Sequence, residues 1–112
     1  MEIKEEIKGD VVIFKLEGRL DATTCAQLEA KVTEIVDAKK HKLIFNLQNM
    51  DYLSSAGMRV LLSVTKKFKA LNGKFIVSSP TDDVMEIIKM AGFNQILHIV
   101  SSEDKALQEI QS

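Results

Sequence analysis

Two adjacent serines, Ser54 and Ser55, are the residues of this chain best placed by type and setting to carry chemistry. They follow an apolar run, Leu43-Ile44-Phe45-Asn46-Leu47, and precede Ala56-Gly57-Met58-Arg59-Val60-Leu61, where helical periodicity begins. A helix start has unpaired backbone N–H groups and a partial positive charge, so a hydroxyl or a phosphate is held there without distorting the chain. Catalysis would need a base and an oxyanion hole within reach. Neither His41 nor His98 is close to the pair in sequence, and there is no Gly-x-Ser-x-Gly or Walker-type phosphate loop. The chain reads as a non-enzyme.

The other reactive types have plainer readings. Asp21, Thr23 and Thr24 are helix-capping residues in a row. Cys25 falls on the apolar face of the helix they start, as a small buried hydrophobe, and a lone cysteine excludes an internal disulfide. No His/Cys cluster has metal-ligand spacing, so neither a metal nor a cofactor is expected. Tyr52 is expected to be partly buried with its hydroxyl at the surface.

The elements that must position the serines follow from periodicity. Residues 2–8 and 11–17 read as strands joined at Gly9-Asp10, an N-terminal hairpin, with Gly18 breaking the pattern. Cys25, Leu28, Val32, Ile35 and Val36 recur at helical spacing up to about residue 39, where Lys39-Lys40-His41-Lys42 suits the negative end of the helix dipole. Residues 43–47 read as a buried strand. The next helix runs from about Ser55, its expected N-cap, to Leu71, with Val60, Leu61, Val64, Phe68 and Leu71 on one face. Asn72-Gly73 stops it. Residues 74–78 are a strand. A helix capped by Thr81 or a neighbour follows, with Val84, Ile87, Ile88 and Ala91 inward and Gly92 as its end. Residues 96–100 read as a last strand, and Ser101-Ser102-Glu103-Asp104 starts a last helix with Ala106, Leu107 and Ile110 inward.

The order ββαβαβαβα predicts an α/β fold: a mixed sheet of about five strands, antiparallel at the hairpin and mostly parallel beyond it, with about four helices. The 112 residues suit a single domain, 1–112, and 46% hydrophobic content suffices for a core. A net charge of −1 argues against direct nucleic-acid binding. No apolar run spans a membrane, and the charged start Met1-Glu2-Ile3-Lys4-Glu5-Glu6 is unlike a signal peptide, so a cytoplasmic location is expected.

Several of these segments together resemble the STAS domain of anti-sigma factor antagonists. Gly18-Arg19-Leu20-Asp21 is similar to the family's Gly-x-Leu-Asp motif after the second strand, and Leu43–Leu47 resembles its central strand. Ser54-Ser55-Ala56-Gly57-Met58-Arg59-Val60-Leu61 resembles its serine turn and following helix. Asn72-Gly73 and Ala91-Gly92-Phe93 also fit. The resemblance implies a protein-binding switch. Ser54, the first of the pair, matches the phosphorylated serine, and Asp21 matches an aspartate that lies near it. The implied partners are an anti-sigma factor that is also a serine kinase, released when the serine is phosphorylated, and a metal-dependent serine/threonine phosphatase that resets it. Ser55 is a second, less favoured acceptor. One departure stands out: Leu53 occupies the position of the aspartate that precedes the switch serine in the family motif, and the nearest acid is Asp51.

Met58 and Leu62 lie a turn apart and off the main apolar stripe, with Arg59 beside them. They form an exposed docking face next to Ser54, flank packing against a neighbouring helix, or scattered surface hydrophobes of the ordinary kind. The partner-binding set is thus Asp21, Ser54, Ser55, Met58, Arg59 and Leu62. The alternative function is a constitutive accessory subunit of a multiprotein complex, in lipid transport or sensing, without a phospho-switch.

Overall fold

A computed structural model describes residues 1–111. Five strands form one sheet in the order β1-β2-β3-β4-β5: Glu2–Lys8, Val11–Leu20, Lys42–Leu53, Lys74–Ser78 and Ile99–Val100. The hairpin pair β1–β2 is antiparallel and the other three pairs are parallel. Four helices accompany them: α1 Cys25–Asp37, α2 Ser55–Ala70, α3 Asp82–Met90 and α4 Glu103–Ile110. The α/β class, the mixed sheet and the helix count agree with the sequence reading.

The sheet is covered on both faces. Val12, Phe14, Leu16, Leu43, Phe45, Leu47, Phe75 and Val77 meet α1, α2 and α3 on one side. Val11, Ile13, Ile44 and Ile76 meet Ala106 and Ile110 of α4 on the other. This is why Val11-Val12-Ile13-Phe14 and Leu43-Ile44-Phe45 are unbroken apolar runs: alternate residues serve two cores.

Two strands depart from their expected bounds. β2 continues through Gly18 to Leu20, because Gly18 adopts φ +99° and shifts register instead of ending the strand. β3 runs to Leu53, not Leu47. Between the pairs Lys15↔Asn46 and Glu17↔Asn49, and again between Gly18↔Met50 and Arg19↔Tyr52, β3 carries one residue more than β2. These bulges break the two-residue alternation, so Leu47, Met50 and Leu53 are buried at intervals of three. The Asn46 side-chain oxygen accepts from the Gln48 N–H at 2.9 Å and stabilises the first bulge. The last strand is shorter than expected: residues 93–95 form a 3₁₀ turn, Ile96 is exposed, and only Ile99–Val100 pair with β4.

The helix stops are as read. Asn72 and Gly92 take left-handed conformations, φ 56° and 79°. Thr81 caps α3 by accepting from the Val84 N–H, and Ser102 caps α4 by accepting from the Lys105 N–H.

Candidate functional site

The serine turn sits where the extended ends of β2 and β3 meet the first turn of α2. Leu20 pairs with Leu53, and the Leu20 carbonyl accepts from the Ser54 N–H at 3.0 Å. Ser54, not Ser55, is the N-cap of α2. Its backbone is extended, and its hydroxyl oxygen accepts from the Gly57 N–H at 3.1 Å. That corrects the expectation for Ser55, which is the first helical residue and is exposed. The sequence could not separate the two, since either serine is a good cap. The decision comes from the Leu20–Ser54 bond, which holds residue 54 in extended backbone.

Gly57 has a role the sequence reading missed. A Cβ there would lie 2.7 Å from the Leu20 carbonyl oxygen and 2.8 Å from Leu20 Cγ and Leu53 Cδ1. Its bare Cα lets the first turn of α2 press against the strand ends that hold Ser54. Leu53 is buried there, so the residue in place of the family aspartate is a core anchor and not a surface group.

The segment carrying Asp21 joins the same corner. The Asp21 carboxylate accepts from the Thr23 hydroxyl at 2.7 Å and the Thr23 N–H at 3.0 Å, and Arg19 Nε lies 3.6 Å away. These contacts, the Thr23 hydroxyl foremost, hold its pKa below the ordinary value. Thr24 precedes α1 but does not cap it through its side chain. Its hydroxyl donates to the Arg19 carbonyl at 2.9 Å and accepts from the Asp21 N–H, bracing the loop. The Arg19 guanidinium lies over the Tyr52 ring, 4.4 Å from its centre, and Tyr52 is more exposed than expected.

Met58 is 3% exposed and belongs to the core, and Leu62 is half-buried against it, so flank packing describes both. Arg59 is exposed. A cleft of about 400 Å³ opens beside the turn, between Ser54, Ser55 and Arg59 on one side and Ile87, Ala91 and Phe93 on the other. Asp21 does not line it. Cys25 is buried at the start of α1, and burial, with Glu29 and Asp21 nearby, raises its thiol pKa. His98 bonds Glu109 at 2.8 Å, away from the serines.

The helix starts differ in charge. α3 has Asp82 and Asp83 in its first turn and α4 has Glu103 and Asp104, whereas α1 and α2 have no acid in theirs. The positive end of a helix without first-turn acids is not offset by its own side chains.

A mixed sheet of this order, with a capped serine turn at the head of the second helix, defines the STAS class of fold. The chain belongs to the STAS domain family, whose pattern matches residues 2–106. It is 30% identical over 102 residues to BtrV, a proposed anti-sigma factor antagonist of Bordetella bronchiseptica, covering 91% of this chain and 87% of that protein. In fold it is similar to a proposed anti-sigma factor antagonist of Thermotoga maritima, with a TM-score of 0.92 at 19% identity over 98% of this chain and 95% of the other. It is also similar to the anti-sigma factor antagonist SpoIIAA, whose unphosphorylated structure superposes with a TM-score of 0.76 at 19% identity, covering 99% of each chain. The phosphorylated form of SpoIIAA, a Bacillus cell fate determinant, gives 0.74 at 19% identity, over 97% of this chain and 99% of the other.

Proposed function

We propose that this chain is an anti-sigma factor antagonist: a binding module that sequesters an anti-sigma factor with serine kinase activity and lets it go once Ser54 is phosphorylated. The observation that carries the reading is the Ser54 hydroxyl, which caps a helix start lacking acidic residues and lies at the mouth of a cleft. A phosphate there adds about −1.5 to −2 charges and meets the free N–H groups of the first turn, so it alters the surface more than the fold. BtrV and SpoIIAA, by their names, support the partner class. Asp21, Ser55, Met58, Arg59 and Leu62 complete the proposed contact region, Met58 and Leu62 by supporting it from within. A metal-dependent serine/threonine phosphatase restores the free serine. The setting is cytoplasmic, and the activity is binding and not catalysis: the serine oxygen is engaged with a backbone N–H, not with a histidine.

The test is incubation with ATP and the serine kinases encoded near the gene, with mass spectrometry of the product and Ser54→Ala as control. Phosphate on Ser54, absent from the variant, is the expected result. Leu53 in place of the family aspartate favours the second reading, a constitutive accessory subunit. A stable complex that never acquires phosphate is the outcome that would establish it.

A further inference from the structure

We propose that the cleft between α2 and the end of α3 seats an apolar side chain carried on an acidic segment of the anti-sigma partner, an inference that rests on the function proposed above. The cleft is apolar on the α3 side, where Ile87, Ala91 and Phe93 face Met58. In the same stretch of sequence, outside the cleft lining, Met90 is 81% exposed and Ile96 54% exposed.

Charge selects the occupant. Arg59 is the only charged side chain lining the cleft, and it makes no ion pair among the described residues. It stands in the first turns of α2, whose start, like that of α1, lacks an acid. Arg19, stacked on the Tyr52 ring in the cleft wall, is paired with Asp21 at 3.6 Å, so the rim charge is that of Arg59. An apolar floor with a positive rim is complementary to an apolar residue flanked by carboxylates, and not to a basic segment.

The site also accounts for release. A phosphate on Ser54 stands at the rim where the partner's carboxylate would sit, so it repels that carboxylate and competes with it for Arg59. Binding is lost without any change in the fold.

The probe is the kinase that phosphorylates Ser54 in the assay above, titrated calorimetrically in the absence of ATP at low and high salt. Arg59→Glu reverses the rim charge. Ala91→Trp fills the cleft from an exposed position. Both should fold normally by their amide spectra, and each should weaken binding about ten-fold or more. Wild-type affinity should fall with added salt, and Arg59→Ala should flatten that dependence. If Arg59→Glu and Ala91→Trp bind like wild type while Ser54→Asp does not, the cleft proposal is wrong and the switch stands. Tighter binding by Arg59→Glu would show a basic partner segment and overturn the assignment. If no kinase binds the wild type, the functional reading fails and the cleft proposal falls with it.

Discussion

At position 57 two effects of opposite sign compete. Glycine inside a helix costs about 1 kcal/mol relative to alanine, so Gly57→Ala would stabilise an unencumbered α2. The added methyl would instead meet the backbone carbonyl of Leu20 at 2.7 Å, and backbone cannot swing aside as a flexible side chain can. Overpacking of this kind costs about 1–3 kcal/mol. Gly57→Ala is therefore expected to destabilise the protein in urea unfolding, and to slow phosphorylation of Ser54 by shifting the turn. Asp21 makes a prediction in pH. Its folded pKa is depressed, so its stabilisation is present above the ordinary carboxylate value of 3.8 and is lost as pH falls through the folded value. Asp21→Asn should thus be less stable than wild type at neutral pH. The gap should narrow in acid, which denaturation midpoints across a pH series would reveal.

The helix starts are where element-scale energies can be compared. Ser54 and Thr81 each accept one first-turn N–H, so Ser54→Ala and Thr81→Ala should each cost about 1 kcal/mol in unfolding free energy. Ser54→Asp separates cap from switch. Aspartate caps as well as serine and favours the positive helix end, so this variant should match or exceed wild type in thermal stability. It should nonetheless fail to bind the partner by calorimetry. Helix positions were legible in the sequence because apolar residues at three-to-four spacing and stops such as Asn72-Gly73 are local signals. The ends of β2 and β3 were not. Bulges insert residues that only a partner strand reveals, and they carry β3 six residues beyond its regular pattern, up to the serine turn itself.

On the scale of the whole molecule, the two faces of the sheet are unequally guarded. Three helices cover one face, while α4 alone supplies Ala106 and Ile110 over Val11, Ile13, Ile44 and Ile76. Ile110→Ala is expected to cost about 2–4 kcal/mol. A loss near the lower bound would mean that α4 settles into the vacated space. Removal of α4 should expose the strand residues and produce binding of an apolar dye. The serine turn lies on the better-guarded side, so these changes should reduce stability without altering partner affinity in the molecules that remain folded.

The sequence by itself determined the fold class, the order of elements and the place of the serine turn, because periodicity, caps and glycine stops act within a few residues. It also carried the family resemblance, which the match over residues 2–106 confirms. Tertiary structure alone decided that Ser54 is the cap, that Met58 is core and Arg59 is surface, and that Gly57 must lack a side chain. It alone set Ile87, Ala91 and Phe93 opposite the serines. Each of these depends on a contact between elements distant in the chain: the Leu20 carbonyl against α2, and the end of α3 beside its start. Local pattern carries no information about which distant surface a residue will meet.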